Sequence, residues 1–424
     1  MIEPDSENPA PSCMDPHDTE ALRLDEALAH IESSISAVSG TETLDVRHAL
    51  GRILSGDIVS RIDVPPHTNS AMDGYAIAGK ELPSDRPADF RVMGTAWAGR
   101  PFTDRLDSGQ CVRIMTGAPL PAGCDTVVIQ EHVIRDGDIA RIGPGNRAGQ
   151  HVRPAGEDVS AGEIALHSGT LLQPAHLGLL ASLGIGEVTV RRLPLVAFFS
   201  TGDELRGIGE TLQDGQIYDS NRYSLYGMLT RMGLRVLDMG VVRDRKEDVE
   251  RAFVDASRIA DAIITSGGVS VGEADFVTDT LAKVGQVNFW KIAMKPGRPV
   301  AFGRVGDALF FGLPGNPVSV MATFYQVVQP ALKKLMGQSQ TEPVTLLSAI
   351  CESKLRKKPG RLEFQRGVLR RDEKGEYIVR GIEHQGAGVL RSMAEANCFI
   401  VLALEQETVT PGSRVTVQPF SGLV

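Results

Sequence analysis

The residues of this chain best suited to chemistry are glycines, carboxylates and cations that recur where apolar runs end. Ser200-Thr201-Gly202-Asp203-Glu204 follows the run Val196–Phe199. Ser266-Gly267-Gly268 follows Ala262–Thr265 and leads through Ser270 to Asp275. Gly312-Leu313-Pro314-Gly315-Asn316-Pro317-Val318-Ser319 enters a long apolar segment. In a doubly wound α/β sheet, ligands sit on the loops that leave the carboxyl ends of strands. Glycine-rich backbone at a helix N-terminus presents N–H groups to an anion. Singly, Asp203 and Asp244 read as helix N-caps. Grouped with Glu204 and Asp275 beside a phosphate-binding surface they would repel an anion, and a hard cation resolves that conflict, because magnesium takes carboxylate and phosphate oxygens together. Between the second and third loops, prolines stiffen Lys291–Pro299, so Lys295 and Arg298, with Lys291 nearby, present fixed positive charge to a small oxyanion. No GxxxxGK[ST], GxGxxG or GxSxG motif is present, which disfavours P-loop hydrolysis, Rossmann redox chemistry and a serine hydrolase.

Periodic elements must position these loops. Strands at 196–200, 236–240, 262–265 and 309–312 alternate with helices around Leu225, Val249 and Pro317–Leu335, which predicts a parallel sheet covered on both faces. Leu24, Leu28, Ile31, Ile35 and Val38 predict an amphipathic helix ending at Gly40, and Pro174 opens a second with Leu177, Leu180 and Leu183. The two helices are expected to pack together around an inserted β-domain, residues 61–159, built of short alternating runs. Short strands return from Pro343 to the end (FQRGVL, EYIVRG, CFIVLAL, RVTVQPF) as a second β-domain.

The chain has 424 residues, too many for one ordinary core. A formal charge of −9 argues against nucleic acid or an anionic membrane surface as the main partner. No apolar run reaches 18 residues, so no membrane span is expected. The acidic, proline-rich residues 1–19 lack Lys and Arg, which predicts a disordered tail rather than a secretory leader. Five cysteines without a CxxC read as reduced cytosolic thiols, and the histidines have no metal-ligand spacing.

Eight motifs then appear in one order: NSAMDGYA (69–76), RIMTGAPLP (113–121), GED (156–158), STGDEL (200–205), GQIYDSN (215–221), SGGVSVGEAD (266–275), KPGRP (295–299) and LPGNPVS (313–319). From about residue 20 onward the chain resembles the molybdopterin molybdenumtransferases, the family of bacterial MoeA and the gephyrin E domain. The resemblance implies a multidomain α/β protein. Its parts would be a helical dimerisation domain (20–60 and 160–192), the inserted β-domain (61–159), an α/β molybdopterin-binding domain (193–340) and a C-terminal β-barrel-like domain (341–424). It implies a cytoplasmic, magnesium-dependent homodimer that inserts molybdate into the dithiolene of adenylylated molybdopterin and releases AMP. The adenylyltransferase that makes this substrate and the enzymes that receive the cofactor are further implied partners.

Carried over by motif, Asp73, Thr116 and Asp158 would be catalytic contributions from the inserted domain across the dimer. Glu204, Asp244 and Asp275 would be the catalytic and metal-binding acidic set. Pro314 and Pro317 would shape the third loop, while Lys295, Arg298, Ser319 and Arg366 would hold molybdate. Ser200, Gly267, Gly268, Ser270, Lys291 and Asn316 complete the implied substrate surface. Ala387 stands where the family often has serine, and Arg298 where lysine is common. A sister adenylyltransferase resembles the α/β domain alone and carries GGTG instead of GGVSVG. A receptor-clustering scaffold needs a fused domain and long linker, and neither is found in this sequence.

Overall fold

The computed structural model describes residues 21–267, 280, 281, 283, 285–339 and 344–421. It divides into two compact units, Thr43–Val190 and the remainder, in which Arg191–Val424 is joined by the residues up to Glu42.

In the larger unit a six-stranded sheet runs in the order Arg235–Val242, Leu195–Thr201, Ala262–Ser266, Ala308–Leu313, Pro299–Val305, Gly285–Lys291. The first four strands are parallel and the last two antiparallel. The parallel strands are almost wholly buried, as continuous apolar runs between covering helices should be. Phe253 of helix Lys246–Ser257 stacks edge-on against Phe199 and Phe310, with centroids 5.3 and 5.4 Å apart. Each such ring contributes roughly 1.5–3 kcal/mol by burial. The sheet is mostly parallel, as expected, with two antiparallel pairings at one edge. The proline-stiffened segment is the loop of a hairpin between the two edge strands, closed by Lys291 opposite Pro299. Pro299 is tolerated because it is the first residue of its strand.

The long apolar helix forms as expected from Pro317, but residues Phe324–Val328 are π-helical before α-geometry resumes at Gln329–Leu335. Pro330 lacks an N–H and its ring would collide with the carbonyl four residues back, so the ladder widens there.

Helix Leu24–Ser33 is shorter than its apolar period predicts. The Ser33 and Ser34 hydroxyls turn back onto the carbonyls of His30 and Ile31 at 2.8 and 2.7 Å, a competition that weakens helix propagation. Ile35 and Val38 are still buried, in irregular backbone, and Val38 N–H donates to Leu335 O at 2.9 Å. This helix belongs to the unit of the α/β domain, where Leu22 N–H donates to Lys291 O. Helix Pro174–Ser182 belongs to the other unit. The amphipathic period reports burial but does not say what covers it.

The C-terminal strands close on themselves. Leu347–Cys351 pairs with Tyr377–Gly381 and Arg414–Pro419, Leu362–Arg371 pairs with Tyr377–Gly381 and Cys398–Leu402, and the last two strands pair together. The five-stranded barrel encloses Ala349, Val379, Ile400 and Val417. Gly367 lies where a Cβ would sit 2.9 Å from Ile400.

In unit Thr43–Val190, a six-stranded sheet runs Thr126–Ile129, Gly74–Ile77, Gln110–Ile114, Ala88–Ala96, Ile139–Ile142, Val133–Asp136. Helix Pro174–Ser182 packs over a separate core of Leu54, Leu166, Leu172 and Val190.

Candidate active site

Three parallel strands deliver their loops to one edge of the sheet. Ser200 and Ser266 are register partners, and Ser266 is in turn opposite Leu313. Gly267 leaves at φ 91° with its hydrogen facing Thr201, whose carbonyl oxygen would lie 2.8 Å from a Cβ. Only glycine permits both that torsion and that approach. Asn221, in the first turn of helix Ser220–Arg231, ties the second and third loops together. Its Nδ2 donates to Ser266 Oγ at 2.8 Å and to Gly315 O at 2.7 Å. The same helix is capped by Asp219, which is buried and accepts from Arg222 N–H at 3.1 Å. The strand leading to Gly267 is clamped at its start. Arg192 grips Asp261 with two bonds of 2.7 and 2.6 Å, and Leu195 N–H adds a third at 2.8 Å. Burial pushes the Asp261 carboxyl up, but these donors outweigh it and hold it below the usual range.

Two of the acidic loops are bonded to each other. Asp203 Oδ1 accepts from Asp244 N–H at 3.3 Å, joining the loops after two adjacent strands. Glu204 folds back so that its carboxylate would lie 2.5 Å from a Cβ on Gly202. Among the described residues no three carboxylates, cysteines or histidines converge as a metal cage. Magnesium does not require one, since it commonly takes one or two carboxylates and completes its shell with phosphate oxygens and water. Exposed Glu204 and partly exposed Asp244 fit that role. Asp275, Gly268 and Ser270 lie outside the described residues.

A second group of residues gathers around the start of the Pro317 helix. The Lys295–Pro299 turn packs against it so closely that a Cβ on Gly297, at φ 99°, would overlap Thr323 Oγ1 and lie 3.4 Å from Ser319 O. Within that turn Arg298 is buried, only 8 % exposed. Lys295 is exposed, so the two cations expected to be displayed together differ in their access to water. From the barrel, loop 384–388 reaches the same helix, where Ala387 O accepts from Val318 N–H at 3.0 Å. One helix-terminal amide expected to face an anion is therefore already satisfied. Arg366 is 1 % exposed and holds this loop. Its Nη2 donates to Gly386 O at 3.1 Å and His384 O at 3.4 Å, and its Nε to Ser392 Oγ at 3.0 Å. These acceptors are neutral, and burial pushes the guanidinium down to about 10, leaving it charged at neutral pH. In the third loop Pro314 and Ser319 are buried and Asn316 is exposed, and Lys291 ends the edge strand.

In unit Thr43–Val190, Asp73 and Thr116 come together. Asp73 Oδ1 accepts from Thr116 N–H and Thr116 Oγ1, both at 2.7 Å, and these bonds hold its carboxyl below the usual range. Asp158 is exposed, and its N–H donates to Val64 O at 2.9 Å. Asn69–Ser70 pairs antiparallel with Val152–Arg153, so the chain runs from this pairing to Asp73 in one direction and to Asp158 in the other.

Sequence reasoning missed Asn221, Ser392, Gln385 and Glu363. Asn221 had a signal in the DSN of GQIYDSN. The other three are ordinary polar residues until the barrel closes around Arg366 and Lys295.

Three comparisons bear on this arrangement. Residues 22–184 match the MoeA N-terminal region (domain I and II), residues 197–334 a probable molybdopterin binding domain, and residues 348–420 the MoeA C-terminal region (domain IV). The chain is 45% identical to a molybdopterin molybdenumtransferase of Haemophilus influenzae, over 95% of this chain and all of that protein. Gephyrin of Dictyostelium discoideum is 32% identical over 92% of this chain and 61% of its own length. The crystal structure of a molybdopterin biosynthesis moeA protein from Pyrococcus horikoshii superposes with a TM-score of 0.81 at 29% identity, covering 94% of this chain and 100% of that one. With both whole-chain sequence and whole-chain fold in agreement, this protein belongs to the molybdopterin molybdenumtransferase family.

Proposed function

We propose that this chain inserts molybdate into the dithiolene of adenylylated molybdopterin, releasing AMP, in molybdenum cofactor biosynthesis. The observation that carries the reading is Arg366, a buried cation bonded to neutral oxygens beside the helix start that Arg298 and Ser319 also approach. A guanidinium out of water needs a counter-charge, and a small oxyanion dianion supplies one with strong charge-assisted bonds. Arg298, Arg366 and the Lys295 ammonium bind the anion and Ser319 orients it, while the backbone at Gly267 and Gly315 gives the phosphate close approach. Asn221 fixes the two glycine loops at one spacing, and Ser200 closes the floor between them.

A bound magnesium ion would supply charge neutralisation at the adenylate phosphate and Lewis-acid polarisation of the link to be cleaved. Glu204, Asp244 and Asp275 are the residues we assign to hold it. Asp73, kept ionised by Thr116, and Asp158 are assigned to a second subunit's contribution, which makes the working species a homodimer in the cytoplasm. Lys291 supports the cationic edge, and Pro314 and Pro317 keep the third loop stiff.

Incubating purified protein with adenylylated molybdopterin, magnesium and molybdate should release AMP and yield cofactor that activates an apo-molybdoenzyme. ATP consumption with pyrophosphate release in place of AMP formation would overturn the reading in favour of adenylyl transfer to the pterin.

A further inference from the structure

The seam between the α/β domain and the barrel holds a carboxylate with no part in the reaction so far. Met294–Lys295 runs parallel to Leu362–Glu363, with Lys295 opposite Glu363. The Glu363 side chain is 6 % exposed, and a carboxylate so far from water needs partners. Its Oε1 lies 3.4 Å from Lys295 Nζ, and its Oε2 accepts from Gln365 Nε2 at 3.0 Å. Gln365 Nε2 is itself anchored on Arg356 O at 2.9 Å. Buried Lys357 donates to Lys358 O at 2.9 Å. Burial pushes its ammonium down, while Glu363 pulls it back up. Glu363 is thus fixed from the barrel side, and Lys295, with a side chain 57 % exposed, is the adjustable partner.

We infer that Glu363 is a positioning residue for Lys295, holding its ammonium at the edge of the oxyanion site and moderating its pull on the anion. The inference rests on the reading of Lys295 as an oxyanion-binding cation. Lys295, Arg298 and Arg366 together carry one charge more than a dianion needs, and Glu363 offsets part of the pull that Lys295 adds. Without the carboxylate the anion would be held more tightly before transfer, and stabilising the bound anion more than the transition state raises the barrier to transfer.

Calorimetric titration of the full-length protein with molybdate tests this. E363Q should bind about two- to fivefold more tightly than the parent, the range open to a partly exposed ion pair, and its kcat for cofactor formation should fall. In a K295M background the same substitution should leave the Kd unchanged, because its effect passes through that ammonium. A merely structural glutamate would weaken binding in both backgrounds. Weaker or unchanged binding by E363Q, or an equal effect with and without Lys295, overturns the inference. If E363Q does not fold, Glu363→Asp keeps the charge but withdraws it by one methylene, and the same tightening is expected. If K295M alone leaves the parent Kd unchanged, the assignment of Lys295 to the oxyanion fails instead.

Discussion

Arg366 and Asp73 show how a residue's role follows from what its atoms touch. Arg366 spends its donors on loop carbonyls and a serine hydroxyl, so charge and loop geometry are inseparable in it. Arg366→Lys keeps the charge but loses the planar fork. We expect it to lower kcat/KM for molybdate at least about tenfold while costing about 1–2 kcal/mol of stability, read by steady-state kinetics and urea unfolding. Asp73 is held ionised by two bonds from Thr116, one of them from the hydroxyl. Thr116→Val removes that hydroxyl bond, so the Asp73 pKa should rise toward its ordinary value. The acidic limb of the rate–pH profile should then move to higher pH, and an unmoved limb would remove Asp73 from the ionisations that govern rate. Cys111 and Cys398 have thiols that burial pushes up to about 12, so both should resist thiol reagents until the protein unfolds.

At the scale of elements, the site depends on how closely loops and helices approach. The Lys295–Pro299 turn meets the Pro317 helix at Gly297, where any side chain would strike Thr323. Gly297→Ala should cost about 1–3 kcal/mol from overpacking and the positive φ. Denaturant unfolding reads the loss, and the double variant with Thr323→Ala should recover part of it. Asn221 joins the loops at Ser266 and Gly315, which lie 45 and 94 residues beyond it along the chain. Its replacement by alanine should depress activity more than stability, because the strands remain paired when the loops above them lose register. The π-helical segment before Pro330 was not readable from the apolar pattern, since an all-round buried helix gives no phase to detect.

For the whole molecule, Asp261 and Arg192 connect electrostatics to folding. Asp261 has its pKa lowered in the folded state by Arg192 and Leu195 N–H, against the opposing effect of burial. A depressed carboxylate contributes stability above its unfolded pKa and loses it as pH falls through the folded one. Asp261→Asn should therefore destabilise at neutral pH, by about 1–3 kcal/mol. The gap to the parent should narrow below the ordinary aspartate value of 3.8. Thermal unfolding across pH checks both the size and the sign. Among the described residues no helix is long and apolar enough to cross a membrane.

The sequence by itself determined which residues stand at strand ends. Apolar runs of four or five residues, two closed by Ser and glycine and the third by Pro314-Gly315, predict the same loops that the sheet brings to one edge, because burial and turn chemistry are local. Motif order likewise carried the family. Local pattern did not separate the edge hairpin Gly285–Val305 from a stiff connection, nor place helix Leu24–Ser33 with the α/β unit, because apolar periodicity records burial without naming the partner. Only the tertiary structure decided that Arg366 is buried under loop 384–388, that Ala387 occupies a helix-terminal amide, and that Glu363 meets Lys295. The Arg366 contacts form only when the barrel strands pair, and the last two contacts join residues of the α/β domain to residues of the barrel, Lys295 and Glu363 being 68 positions apart.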